Sequence, residues 1–186
     1  DLWAAARGQV RHIHGKRNAA TFDGCNAGEL VIASADLIRP EPGQRKPQHW
    51  DFTAVDKWQQ MGGRAAFDWL ARSIYFEARG EPIAGQVAVA MTIFNRVQNQ
   101  QFPDSVPAVV RQHKQFSWYS DGYSNQPEDH DYGAWREVLR LTRALVKSPV
   151  KDPTNGALFY HAEYVDPRWS DRLRRLATIG KHHFYA

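Results

Sequence analysis

The sequence predicts an α+β domain that is mainly helical and carries a small antiparallel sheet. Apolar residues recur at helical spacing from residue 64 to about residue 147, whereas short runs of β-type residues appear chiefly after the DPTNG turn at residues 152–156. A chain of 186 residues that is 42% hydrophobic can bury one substantial core with a small appendage beside it. There is no internal repeat and no low-complexity segment.

Residues 1–63 are irregular, with one expected strand at 29–34 and a proline-bearing stretch at 39–47 (RPEPGQRKP) that reads as an extended linker. No chemistry is assigned to this segment, which is taken as an arm or linker preceding a domain at 64–186. The first helix starts near Arg64, with Phe67, Leu70, Ile74 and Ala78 on its apolar stripe. Gly80, as a C-cap, and Pro82, in a first turn, close it and open the next. The second helix is expected over 82–98, with Ile83, Val87, Ala90 or Met91, Phe94 and Val97 on one stripe.

A shorter helix fits 105–113, capped by Asp104 or Ser105. The polar, aromatic-bearing stretch 114–131 is too irregular for either period and suits the border of a cleft. A fourth helix is expected over 132–147, with Trp135, Val138, Leu139, Leu145 and Val146 facing the core. Strands are expected at 157–162 and 182–185, with a short helix at 170–177 between them.

The longest apolar run, residues 87–94, is far short of the roughly 20 residues that a bilayer-spanning helix needs, so no membrane span is expected. Lys and Arg outnumber Asp and Glu by 24 to 20, a modest basic bias that favours a polyanionic partner without naming one. The only concentrated basic group is Arg172, Arg174 and Arg175, and the aromatic-rich loop carries more acidic than basic residues, so a nucleic-acid surface is not expected. The single Cys25 permits no intramolecular disulfide and no Cys-based zinc cluster.

Residues 74–85, IYFEARGEPIAG, hold the most chemistry. Glu77 follows Leu70 by seven positions and Ile74 by three, which puts its carboxyl on the apolar stripe at a helix end, while Asp68 points to the opposite face. Partial desolvation there raises a carboxyl's pKa, as a general acid requires. On spacing alone, a structural ion pair with Arg79 or another arginine is the commoner outcome.

The stretch ARSIYFEARGEPIAGQVAVAMTIFNRV (71–97) resembles the signature of the SleB/CwlJ-type cell-wall hydrolase family, in which EARGE precedes a GQ-x-AVA helix and an NRV ending. FPDSVPAVVRQHKQFSW (102–118), TNGALFYH (154–161), DPRW (166–169) and IGKHHFY (179–185) are similar to its later blocks, in the same order. The resemblance spans about residues 66–186. It implies a lysozyme-like fold and cleavage of peptidoglycan between N-acetylmuramic acid and N-acetylglucosamine, by a lytic transglycosylase or a muramidase. It further implies that Glu77 protonates the glycosidic oxygen and then acts as base. Glu81 is read as structural, through Arg79 or the backbone donors that open the second helix.

Gln115, Ser117, Trp118, Tyr160 and His161, which lie within the matched blocks, are the candidate substrate contacts, with Tyr119 a further stacking candidate; packing roles stand beside each reading. Two-carboxylate glycosidases hold a partner about 5 to 9.5 Å away. Asp121, Glu128, Asp129 and Asp131 could supply one, but none matches a family motif, so the transglycosylase route is favoured and a muramidase is the alternative.

A zinc amidase is disfavoured because no H-E-x-x-H occurs and the adjacent His182 and His183 point to opposite faces of a strand. No metal or cofactor is expected. A noncatalytic wall-binding module is disfavoured by the intact EARGE. The expected setting is extracytoplasmic, or a phage virion or lysin, with residues 1–63 as the segment that could join a larger assembly such as a phage tail or the wall machinery.

Overall fold

The computed structural model describes residues 38–40, 49–50, 55–113, 115–120 and 126–186. Its helices are α1 (Val55–Gln60), α2 (Gly63–Ala78), α3 (Ile83–Val97), α4 (Val106–Val110), α5 (Ser117–Ser120) and α6 (Tyr132–Lys147). The strands are β1 (Ile38–Pro40), β2 (His49–Trp50), β3 (Val150–Lys151), β4 (Phe159–Ala162), β5 (Arg175–Ile179) and β6 (His182–Tyr185), with short 3₁₀ turns at Asp129–Asp131 and Ser170–Arg172. β1, β5, β6 and β4 form an antiparallel sheet in that order, and β2 pairs with β3.

The mainly helical α+β reading holds, and α2, α3 and α6 fall where periodicity puts them. α2 begins on two glycines with positive φ, Gly62 at 113° and Gly63 at 54°, which L side chains rarely adopt. A Cβ on Gly62 would also lie 2.9 Å from the Pro107 ring, so the glycine lets α4 approach the start of α2. Gly80, by contrast, does not take the left-handed form expected of a C-cap. The chain turns instead through a bond from the Glu81 N–H to the Ala78 carbonyl (2.9 Å), and Pro82 sits at the N-cap of α3 with extended backbone.

α3 departs from the single-stripe expectation. It is buried almost all round, because two cores meet on it. Val87, Met91 and Phe94 join Leu70, Ile74 and Tyr75 of α2, Val109 of α4 and Leu141 of α6 in the larger core. Ala84 and Ala88 face the other way, onto Leu176, Ala177, Ile179 and Phe184 of the sheet. Their short side chains let strands pack close to the helix axis.

Three further expectations are corrected. α4 ends at Val110 rather than 113, and Ser105 occupies its N-cap without a side-chain capping bond. Within 114–131, residues 117–120 form α5. The helix expected at 170–177 is one 3₁₀ turn followed by β5, which lies between β1 and β6. Three arginines among the eight residues 170–177 hide its period, and pairing on both edges overrides local preference. The strand expected at 29–34 lies outside the described residues. Two parts of 1–63 do more than link: Ile38–Pro40 pairs with β5, and Trp58 of α1 packs edge-on against Phe94. β1 lies at the sheet edge, where a proline is tolerated.

Asp152, fully buried, ties the α3 terminus to the turn that feeds β4. One carboxylate oxygen accepts from Asn95 Nδ2 (2.9 Å) and the Gly156 N–H (2.8 Å), the other from the Thr154 N–H (2.8 Å) and hydroxyl (2.7 Å). Asn95 Nδ2 also reaches the Ala157 carbonyl at 3.0 Å. Asp152→Ala would take the carboxylate acceptor away from the Thr154 N–H and hydroxyl and the Gly156 N–H. The expected loss is on the order of 3 kcal/mol in urea unfolding, whereas a loss under about 1 kcal/mol would show that the turn holds itself.

Candidate active site

Glu77 occupies the last turn of α2, half-buried where that helix meets β4. The Tyr160 hydroxyl donates to its Oε2 at 3.1 Å. Strand alternation delivers this contact: Tyr160 pairs with Phe184 and shares its face with His182, while His161 and His183 point to the other side. Burial pushes the Glu77 carboxyl up to about 7, against the pull of the Tyr160 hydroxyl and the charges of His182 and Arg96. Tyr160 itself is driven well above the ordinary phenol range, first by burial and then by the Glu77 charge.

Arg96, near the end of α3, is 5% exposed. Its Nε donates to the Leu158 carbonyl at 2.7 Å, and its guanidinium lies 5.3 Å from the Phe102 ring, 5.7 Å from Phe159 and 6.0 Å from Phe116. Three ring faces replace much of the water that the charge gave up. Burial lowers its pKa, opposed by the charges of Tyr160 and Glu77.

Arg79 does not pair with Glu77. It turns away to Asp131 (2.9 Å) and lies 4.6 Å over the Tyr75 ring. The Tyr75 hydroxyl donates to Asp131 (3.1 Å) and accepts from the Glu128 N–H (3.3 Å), so the arginine of EARGE pins the acidic segment to α2. The structural role expected of Glu81 runs through other partners than Arg79. Its Oε2 accepts from the Lys181 N–H at 2.9 Å and lies 3.8 Å from His182 Nδ1. Burial alone would raise this carboxyl, yet the His182 and Lys181 contacts hold it below the ordinary range.

Of the proposed substrate contacts, Tyr160 alone is brought to Glu77. His161 is buried on the opposite sheet face, with its ring nitrogens at 2.8 Å from the Tyr185 hydroxyl and 2.9 Å from the Ala162 carbonyl, so the structure does not bring it to Glu77. Trp118 is 8% exposed and stacked on Phe76 at 4.9 Å, with Trp69 and Tyr119 also in ring contact. Its ring thus packs within the larger core. Tyr119 packs edge-on against Trp69. Gln115 and Ser117 are half-buried, and among the described residues neither side chain hydrogen-bonds to Glu77, Tyr160 or Arg96.

The sequence reading missed Arg96 and His182 as neighbours of Glu77. A signal existed for Arg96, an arginine between Phe94 and Val97 at the end of an apolar helix, where a charge needs nearby partners. Among the described residues, no three His, Cys, Asp or Glu side chains gather as a metal-binding group. Nor is any described helix long and apolar enough to cross a membrane.

The raised Glu77 carboxyl has a stability consequence. Between the unfolded value of 4.5 and the folded value of about 7, the folded state keeps a proton that the unfolded state has released. Stability attributable to Glu77 therefore falls as pH rises through that window, and the penalty is complete above it. Glu77→Gln should be the more stable form at pH 8, on the order of 2 kcal/mol, and gain nothing at pH 4. Equal stability of the two proteins at pH 8 in thermal or urea unfolding would show that the carboxyl ionises freely.

A family model described as Cell Wall Hydrolase matches residues 80–185, a span that begins just after Glu77. Spore cortex-lytic enzyme of Halalkalibacterium halodurans is 35% identical over 116 residues, 62% of this chain and 33% of that protein. That of Bacillus subtilis (strain 168) is 34% identical over 118 residues, 62% of this chain and 35% of that protein. The chain thus spans about a third of the length of these relatives. The catalytic domain of the germination-specific lytic transglycosylase SleB from Bacillus anthracis superposes with a TM-score of 0.52 and 32% identity, covering 66% of this chain and 95% of that domain. For the Bacillus cereus SleB catalytic domain the TM-score is 0.51 at 32% identity, with 65% and 89% covered. With the family model matched over more than half of its residues and these domains superposing on it, the chain belongs to the cell wall hydrolase family and has the fold of the SleB catalytic domain.

Proposed function

We propose that this protein cleaves peptidoglycan glycan strands between N-acetylmuramic acid and N-acetylglucosamine as a lytic transglycosylase, with Glu77 as acid and then base. The observation that carries the reading is a half-buried carboxyl kept protonated to about pH 7 beside a hydroxyl donor. A proton passes from Glu77 to the glycosidic oxygen as the bond to C1 of the muramyl residue breaks. The Tyr160 hydroxyl and the Arg96 charge then steady the carboxylate left behind. Glu77 next takes the proton of the muramyl 6-hydroxyl as that oxygen bonds to C1. A 1,6-anhydro ring forms, and the acid is regenerated.

The state of the described acidic side chains supports the intramolecular route. Asp131 is engaged by Arg79 and Tyr75, and Glu128 pairs with His130 on the surface. The tethered 6-hydroxyl, by contrast, has a high effective concentration. The basic bias suits a wall that carries carboxylates. We assign the catalysis to residues 64–186, braced by the described parts of 1–63, with Gln115 and Ser117 as candidate sugar contacts. Such a substrate places the protein outside the cytoplasmic membrane, as a secreted enzyme or in a phage particle, where 1–63 could attach it to a larger assembly.

Mass spectrometry of sugars released from purified sacculi tests this. The expected products are lighter by one water than hydrolysed muropeptides and resist borohydride reduction. Predominantly reducible muramic ends would make the enzyme a muramidase that activates water. Glu77→Gln should keep the fold and lower release by roughly 10²-fold or more; a variant retaining over a tenth of the rate would remove Glu77 from the chemistry.

A further inference from the structure

Helix α6 gathers positive charge on one side. Arg136, Arg140, Arg143 and Lys147 recur at spacings of four, three and four residues, so they share an arc of roughly 60° over about 16 Å of helix. All four are exposed, and the buried residues Val138, Leu141, Thr142 and Leu145 occupy the opposite side. The helix holds one acid, Glu137, and thereby carries three of the chain's four net positive charges. Among the described residues, none of the four cations pairs with a carboxylate. A helix face that is merely solvated mixes its signs, as α2 does where Arg72 meets Asp68 at 3.1 Å. Like charges three and four residues apart repel instead. Lys147 has an internal reason, since a cation suits the last turn of a helix, but Arg136 and Arg140 have none.

The row is continuous with the candidate site. Asp131, at the N-cap of α6, is held by Arg79 and the Tyr75 hydroxyl, at the end of α2 that bears Glu77. Arg143 lies 6.0 Å from the ring of Phe67, which is farther back along α2. The two helices therefore run antiparallel, and the cations extend from the Glu77 end of α2 toward its start. We propose that this row is an exosite for the carboxylates of peptidoglycan stem peptides, which holds a glycan strand whose reacting bond lies at Glu77. The inference rests on the reading of peptidoglycan as the substrate. Three of the four cations are arginines, whose planar guanidinium takes a carboxylate through two parallel hydrogen bonds. Stem peptides branch repeatedly from one strand, so weak contacts along the row act together once the first is made. A lipid surface fits less well. Helices that lie on membranes set large apolar side chains beside their cations, whereas Tyr132 is the one large apolar residue that α6 exposes. A single-stranded nucleic acid would want several stacking rings among the charges, and the same tyrosine is all that the row offers.

Docking and cleavage are read separately. Docking is measured by pelleting with sacculi stripped of phosphate-bearing polymers by hydrofluoric acid, in the cold and before sugars are released. The unaltered protein should bind, and binding should weaken as salt is raised. The triple variant Arg136→Gln, Arg140→Gln, Arg143→Gln, shown by circular dichroism to be folded, should bind on the order of tenfold more weakly. Coupling the sacculus carboxylates to ethanolamine with a carbodiimide should weaken the unaltered protein to a similar degree, a readout that alters no residue. Equal binding by the triple variant, or binding indifferent to the blocked carboxylates, overturns the proposal. So does binding that vanishes with the phosphate polymers, or a stronger salt-sensitive association with phosphatidylglycerol vesicles than with sacculi; the partner would then be a phosphodiester polymer or a membrane. Sugar release from the same sacculi on warming separates the two readings. Cleavage by a protein whose binding ignores the row removes the exosite alone, whereas no binding and no release removes the peptidoglycan reading and the exosite with it.

Discussion

The buried carboxylate of Asp152 is the constraint on which the site depends. Among the described residues no arginine or lysine pairs with it, and it is satisfied by N–H and hydroxyl donors from Asn95, Thr154 and Gly156. These bonds fix the 152–156 turn against the end of α3, and strand β4 leaves that turn at a set height. One residue of slippage in β4 would exchange Tyr160 for a neighbour pointing to the opposite face. The hydroxyl at Glu77 thus depends on a network of which Glu77 is no part.

Arg79 and Arg96 illustrate how burial sorts like charges. Arg79 lies at the exposed end of α2 and uses its charge at the surface, where it pins Asp131 and covers Tyr75. Arg96, almost fully buried, survives through one carbonyl and three aromatic faces, and its field therefore reaches Glu77 with little screening. Burial that costs the folded state stability is also what makes Glu77 an acid near neutral pH. The proton-donor role proposed for Glu77 and the stability of the fold pull in opposite directions at that one carboxyl.

The two cores on α3 explain why a largely helical protein keeps a small sheet. The larger core holds α2, α3, α4 and α6 together and would be complete as a bundle. The smaller one, built on Ala84 and Ala88, docks the sheet beside the α2 terminus and closes one wall around Glu77. A helix bundle alone would leave that carboxyl in water, with an ordinary pKa.

What the sequence determined by itself was local. Helical periodicity marked α2, α3 and α6, the DPTNG turn announced the strands, and the spacing from Leu70 and Ile74 set Glu77 on the inner face of a helix end. Such signals operate over about two helical turns, within which residue spacing dictates direction. Only the tertiary structure decided the partners. Tyr160 reaches Glu77 across 83 residues and Lys181 reaches Glu81 across 100. The same long-range pairing made a strand of β5 where the local sequence suggested a helix, and it sent Trp118 and His161 into packing. A side chain's direction is set by its own few neighbours in sequence, but what it meets is set by how the elements stack, and that depends on burial summed over the whole core.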